Sequence, residues 1–167
     1  ASGNYAEKRG GFLAMDDSNI EIIDSFFNEN SADSFGNVIF AQLGSLQVKK
    51  TLFEENTGGG AAISLTKVIS SIKSSQFFDN EGTSSSVDLS VLHSTLSIED
   101  SKFLRENAKV ESKSIYGYFA SVSGSTVSID SCSFINGEAS QGGALQLKDS
   151  SQVSISESSF IRNTALI

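Results

Sequence analysis

The sequence predicts an all-β fold, a parallel β-helix (solenoid) of about six coils of ~26 residues with three short strands per coil. A single pattern recurs six times: an apolar residue, any residue, an apolar residue, two residues, a small hydroxyl, any residue, Phe, two residues and Asn. The phenylalanines of this pattern are spaced by 26, 24, 26, 31 and 26 residues. The chain contains no proline, as expected where every strand is hydrogen-bonded on both sides.

Each copy of the pattern contains two short strands. The apolar pair, such as Ile20 and Ile22, alternates with polar residues and predicts one strand; the Phe lies in a second strand beyond a hydroxyl turn. A further apolar alternation precedes each copy and is often introduced by glycine, as where Gly59 and Gly60 precede Ile63 and Leu65. This alternation predicts the third strand of the coil. One coil alone would expose unpaired strand edges, so the coils must stack.

Stacking places equivalent residues above each other at a spacing of ~4.8 Å, which predicts side-chain ladders. We expect a ladder of inward phenylalanines at Phe27, Phe53, Phe77, Phe103, Phe134 and Phe160. We expect a hydrogen-bonded ladder of asparagines at Asn30, Asn56, Asn80 and Asn163. Asn107 and Asn136 fall one place late and one place early in their copies. Cys132 replaces the small hydroxyl of its copy and is predicted to be a packed turn residue.

Composition removes several classes of function. The 167 residues carry a net charge of −8 without a Lys/Arg cluster, which argues against nucleic-acid binding. One histidine and one cysteine do not supply a disulfide framework or a His/Cys metal site, and no cofactor is predicted. No apolar run approaches the ~18 residues of a membrane span, so direct membrane insertion of this segment is not expected.

Strict alternation also predicts an outward face on the glycine-introduced strands. If Leu13 and Met15 point inward, the outward residues include a largely apolar set: Phe12, Ala14, Val38, Phe40, Ala62, Phe119 and Ala144. An exposed apolar stripe of this kind predicts an interaction surface for neighbouring copies of the chain, for other proteins or for surface glycans. Two alternatives are that segments 83–86 and 108–115 cover the stripe and that the alternation is misassigned. Asp88 is the one ionisable residue of this face, so no catalytic site is expected there.

The motif Gly142-Gly143-Ala144-Leu145, followed by Phe160-x-x-Asn163, resembles the repeat of polymorphic outer-membrane proteins, which are autotransporter adhesins. Similar repeats occur in large protist surface proteins, and all resemble the pectin-lyase-like β-helix. The resemblance implies a right-handed coil and an extracellular or cell-surface location. The glycine pair is missing from the fourth and fifth copies, which departs from that repeat.

We therefore expect residues 1–167 to be a single β-helix segment, truncated at both ends and belonging to a longer repeat protein. The favoured function is a non-enzymatic structural or adhesive rod, part of a large surface or filament-forming protein. One alternative is a carbohydrate-binding or carbohydrate-active domain of the pectin-lyase-like type. Another is an intracellular scaffold in a large cytoskeletal assembly, which the absence of an N-x-S/T sequon and of cysteine pairs would permit.

Overall fold

A computed structural model describes residues 1–82, 86–106 and 117–165 of the chain. These residues contain strands and turns but no helix, and the strands are parallel and wound as a β-solenoid of about six turns. Residues in equivalent places on successive turns are about 26 positions apart. The predicted all-β solenoid is therefore confirmed.

Most strands are short because each coil turns after two to five residues, although two strands continue around a corner. In chain order the strands are β1 (Tyr5–Ala6), β2 (Leu13–Ile23), β3 (Phe26–Asn28), β4 (Ser31–Ala32), β5 (Ile39–Lys49), β6 (Leu52–Glu54), β7 (Thr57–Gly58), β8 (Ile63–Thr66), β9 (Ile69–Lys73), β10 (Gln76–Phe78), β11 (Leu89–Leu92), β12 (Thr95–Glu99), β13 (Lys102–Leu104), β14 (Ala120–Ser123), β15 (Thr126–Asp130), β16 (Ser133–Ile135), β17 (Glu138–Ala139), β18 (Leu145–Lys148), β19 (Gln152–Ser156), β20 (Ser159–Ile161) and β21 (Thr164–Ala165).

The strands form three walls around one core. The first wall contains β8, β11, β14 and β18, and the second contains β9, β12, β15 and β19. The long strands β2 and β5 run through both of these walls, which joins them into one sheet. The third wall is a separate six-stranded sheet in the order β20-β16-β13-β10-β6-β3. Short pairs such as β1 with β4 lie beyond the third wall.

Polar residues in the left-handed conformation turn the chain at the corners. Between the second and third walls these residues are Asp24, Lys50, Ser74, Asp100, Ser131 and Glu157, with φ between 45° and 52°. Left-handed backbone costs a non-glycine residue about 1 kcal/mol, and a corner that stacks on identical corners can sustain that cost. Four of these six corner residues are charged.

The core consists of inward columns, and the phenylalanine ladder is the most regular of them. Ring centroids of Phe27, Phe53, Phe77, Phe103, Phe134 and Phe160 lie 4.7–5.1 Å from the next ring. From Phe53 to Phe160 the planes of neighbouring rings differ by only 5–7°. Successive coils are thus scarcely rotated relative to one another at the third wall, although sheets ordinarily twist.

The small hydroxyl of each copy satisfies backbone groups at the corner before the third wall. Ser75 Oγ donates to the carbonyl of Lys73 at 2.9 Å and accepts from the backbone N–H of Thr51 at 3.2 Å. Cys132 fills the same place, with its thiol donating to the carbonyl of Asp130 at 3.0 Å. It is 3% exposed, and burial raises the pKa of its thiol, so the prediction of a packed turn residue is confirmed.

Replacing Ser75 by alanine is expected to lower the free energy of unfolding by about 1–2 kcal/mol, because the N–H of Thr51 loses its acceptor in a buried site. Urea unfolding followed by circular dichroism would measure this change. The matched control is Ser97→Ala on the exposed side of β12, which should change stability by less than about 0.5 kcal/mol. Equal effects at the two positions would contradict the role given to the corner hydroxyls.

Candidate functional site

The stripe predicted on the glycine-introduced strands is mostly buried, so its assignment as an exposed face is wrong. Val38 and Ala62 are 0% exposed, Phe119 is 1% exposed, and Phe40 and Ala144 are each 8% exposed. Of the predicted set, only Phe12 and Ala14 are exposed. These seven residues therefore do not form a continuous interaction surface.

The error arises because alternation holds within a strand but not in the bend that precedes it. Val38, Ala62, Phe119 and Ala144 each lie one residue before a strand of the first wall, and there the chain directs the side chain into the core. The ring of Phe119, for example, lies 6.1 Å from that of Phe103. Phe12 occupies the equivalent place and packs on Phe27 at 4.9 Å.

Phe40 does lie within a strand, and other residues cover it. The guanidinium of Arg9 lies 4.6 Å from the centre of its ring, and the ring of Phe35 lies 6.4 Å away. This coverage comes from the segments before β2 and β5. The alternative that residues 83–86 and 108–115 cover the stripe concerns, apart from Ser86, residues outside the described ones.

The asparagine ladder is present and has a direction. Asn4, Asn30 and Asn56 each donate a side-chain Nδ2 hydrogen to Oδ1 of the asparagine one coil further on, at 2.8–2.9 Å. The last donor, Asn80, gives its hydrogen to Asp88 Oδ1 at 2.9 Å. Asn163 instead accepts from the backbone N–H of Gly137, because the neighbouring coil has no asparagine at this place.

Asp88 is the buried carboxyl at the end of this ladder, although alternation predicts it on the outward face. It occupies the bend before β11, where the equivalent residues of other coils are the inward Ala62 and Phe119, and it is 2% exposed. Burial raises the pKa of the Asp88 carboxyl to about 8, with the Asn80 hydrogen bond opposing this shift and the nearby Asp79 adding to it.

An open recess of about 330 Å³ lies over the asparagine ladder, at the corner that follows the third wall. Half of its lining residues are acidic, with Glu29, Glu55, Asp79 and Glu81 beside Thr57, Asn80, Arg105 and Tyr118. The guanidinium of Arg105 lies 5.0 Å from the centre of the Tyr118 ring, and burial raises the pKa of the Tyr118 hydroxyl. Among the described residues no group of three or more His, Cys, Asp or Glu side chains is arranged to hold a metal ion.

The outer face of the third wall carries large apolar residues that the sequence analysis did not single out. Each strand of this wall points its phenylalanine inward and therefore points both flanking residues outward. One flanking residue of every coil is large and apolar: Phe26, Leu52, Phe78, Leu104, Ile135 and Ile161. The sequence contains a signal for this face, because each repeating phenylalanine has a large apolar residue directly before or after it.

The comparisons with known proteins give no relative. No family model matches the chain, and neither a curated protein nor a solved structure matches it. The part of the chain that the structure describes contains no helix long and apolar enough to cross a membrane.

Proposed function

We propose that this chain is a non-enzymatic structural or adhesive segment of a solenoid rod in a large surface or filament-forming protein. The observation that carries this proposal is that the recurring side chains of each coil make contacts inside the solenoid. The phenylalanine, asparagine and hydroxyl of the repeat all contact the adjacent coil or its own corner. The repeat thus maintains the stack.

The enzyme alternative depends on accessible acidic groups, and the best acid candidate is enclosed. A pKa near 8 would suit Asp88 as a general acid, yet its side chain is 2% exposed and hydrogen-bonded to Asn80 inside the solenoid. A polysaccharide would need two carboxyl groups on either side of its glycosidic bond. Asp88 cannot approach such a bond without unfolding of the coil.

Carbohydrate binding is a second candidate, and one feature favours it. The outer side of the second wall forms a shallow groove of about 430 Å³. Its lining combines hydroxyls of Thr95, Ser97, Thr126 and Ser128 with the exposed side chain of Ile69. Sugars could contact the apolar edge and exchange hydrogen bonds with the hydroxyls.

The resemblance of Gly142-Gly143-Ala144-Leu145 and Phe160-x-x-Asn163 to polymorphic outer-membrane-protein repeats supports a right-handed, pectin-lyase-like coil and an extracellular or cell-surface location. Antibodies raised against this segment should therefore label intact cells of the producing organism. Labelling that requires permeabilised cells would favour the intracellular scaffold instead.

Activity is tested separately by incubating the folded segment with a panel of acidic and neutral polysaccharides. We expect no release of reducing ends or unsaturated products. Turnover that disappears in an Asp88→Asn variant with an unchanged circular-dichroism spectrum would overturn the non-enzymatic assignment. Retention on a glycan array, lost on replacing Thr95 and Thr126 by alanine, would favour the carbohydrate-binding candidate.

A further inference from the structure

The outer apolar residues of the third wall form a ridge in two parts, because Leu52 pairs with Gln76 and Phe78 pairs with Glu54 where the second coil meets the third. Phe26 and Leu52 pair in register on the first two coils. Phe78, Leu104, Ile135 and Ile161 pair in register on the next four. Phe26 is 47% exposed and Ile161 is 43% exposed, and the four residues between them are partly exposed. Each coil therefore presents one large apolar side chain to solvent on this wall.

This wall is also flat. The inward rings of coils two to six are parallel within 5–7° per step, and the strands that carry them are in register without a bulge. A flat wall lets a second surface contact both parts of the ridge across all six coils. Six strands at ~4.8 Å span about 29 Å along the solenoid axis.

Charges on the two corners that border this wall follow a pattern. In a given coil the corner residue before the wall and the corner residue after it are five positions apart. We number the coils one to six in chain order, from the coil that contains Phe27 to the coil that contains Phe160. Coils two, four and six carry opposite charges at the two corners: Lys50 with Glu55, Asp100 with Arg105, and Glu157 with Arg162. In coils three and five one or both corners are uncharged, and coil one carries Asp24 and Glu29.

We propose that a second copy of this chain packs on the outer face of the third wall, with the two solenoids parallel and related by a two-fold axis along the solenoid direction. This inference rests on the proposed structural function and names its partner. A two-fold axis in that direction sets each coil against its own counterpart and exchanges the two corners. Lys50 then faces Glu55 of the second copy and Glu157 faces Arg162 of the second copy, which attract. In coil one Asp24 faces Glu29 of the second copy, which repels.

The antiparallel arrangement fits the same charges less well. A two-fold axis along the strand direction would set coil one against coil six without exchanging the corners. Asp24 would then face Glu157 of the second copy, which repels, and Glu29 would face Arg162, which attracts. Lys50 would face the uncharged Ser131. The parallel arrangement therefore has one more attractive pair of corner charges than the antiparallel one, and charge complementarity of this kind fixes orientation more than it adds affinity.

The proposed interface is small, so we expect the dimer to be weak. A wall of six strands and about five residues in width covers on the order of 500 Å² per copy. The total of about 1,000 Å² is at the lower limit for specific protein interfaces, so we expect a weak and reversible dimer.

Sedimentation velocity over a range of concentrations tests the proposal on the folded segment. We expect reversible dimers of the unmodified chain and at least a tenfold weaker dimer for Leu104→Ser with Ile135→Ser. The matched control is Leu92→Ser, which removes a leucine that is 38% exposed away from this wall, and it should leave the dimer unchanged. Circular dichroism would verify that all variants fold. A chain that stays monomeric to several hundred micromolar would overturn the proposal.

One substitution separates the two orientations by the direction of its effect. Glu157→Lys should weaken a parallel dimer several-fold by facing Arg162 of the second copy, and adding Arg162→Glu should restore it. The same Glu157→Lys variant would tighten an antiparallel dimer by facing Asp24, and that result would overturn the parallel arrangement. Association is scored independently of polysaccharide turnover and cell labelling, so its failure is distinguishable from failure of the proposed function.

Discussion

Replacing Asn56 by leucine is expected to lower the free energy of unfolding by on the order of 3–6 kcal/mol. Asn56 Nδ2 donates to Asn80 Oδ1 and to the carbonyl of Phe27, at 2.9 and 3.0 Å. Its Oδ1 accepts from the backbone N–H and the side-chain Nδ2 of Asn30, both at 2.9 Å. Leucine has a similar volume but leaves these buried groups without their partner, and each such loss costs about 1–3 kcal/mol.

Urea unfolding followed by circular dichroism would measure this loss. The matched control is Asn19→Leu, because Asn19 is exposed and makes its side-chain bond with Ser45 at the surface. That variant should change stability by less than about 0.5 kcal/mol. If Asn56→Leu were as stable as Asn19→Leu, the asparagine ladder would not be holding the coils together.

Replacing Asp88 by asparagine is expected to stabilise the protein at neutral and alkaline pH, by on the order of 2–4 kcal/mol at pH 8. Asparagine keeps an oxygen that can accept from Asn80 Nδ2, and it removes a carboxyl group whose ionisation favours the unfolded state as the pH rises. This substitution would extend the amide ladder by one member. The gain contrasts with the usual destabilising effect of a change in the core.

The pH dependence follows from the direction of the shift in the pKa of Asp88. Its ordinary pKa is 3.8 and burial in the fold raises the pKa to about 8. Below pH 4 both the folded and unfolded states keep the proton, so the unmodified protein has its full stability there. Between pH 4 and 8 only the unfolded state ionises, and the free energy of unfolding falls by up to about 1.4 kcal/mol per pH unit.

Comparing the variant with the unmodified chain at each pH isolates this group from the other acids. The charged or titratable groups near Asp88 are Asp79, Glu81, Arg105 and Tyr118, and they are the same in both proteins. Urea unfolding from pH 4 to pH 8 should show the stability difference growing with pH. A difference that stays constant across this range would mean that Asp88 is ionised in the folded protein.

The architecture could be predicted from sequence because every coil of a solenoid places the same residue types at the same positions. The spacing of Phe53, Phe77 and Phe103 fixes both the length of a coil and the residue that stacks on the next coil. The asparagine three residues further on follows the same spacing, so the ladder from Asn30 to Asn80 was predicted along with the rings. A second hydroxyl column, in which Ser94 and Ser125 bond to the backbone at another corner, was not predicted.

The outward surfaces were predicted poorly because alternation is interrupted at bends. Phe119 and Asp88 are equivalent residues, and extending the strand pattern by one position assigned both to the wrong side of the wall. Coverage by distant residues, such as that of Phe40 by Arg9, has no local signal at all. The ridge from Phe26 to Ile161 was visible in the sequence, but it changes from one side of the phenylalanine to the other after the second coil.

The interior side chains of the solenoid stack the coils, and we propose that two copies of the chain pair through the outer face of the third wall, in parallel. The most direct measurement is the distance between spin labels on equivalent corners of the two copies. The labels would be attached at Asp24→Cys and, separately, at Ser74→Cys, with Cys132→Ser restoring the usual hydroxyl of the repeat.

Pulsed electron resonance at a concentration that favours dimers would give both distances. In a parallel dimer every coil faces its counterpart, so the Asp24 labels and the Ser74 labels should give the same distance within a few ångströms. An antiparallel dimer centred between coils three and four would make the Asp24 distance about 15 Å longer, because the two Asp24 residues would be five coils apart. Unequal distances of that size, or no dipolar coupling at either position, would contradict the account.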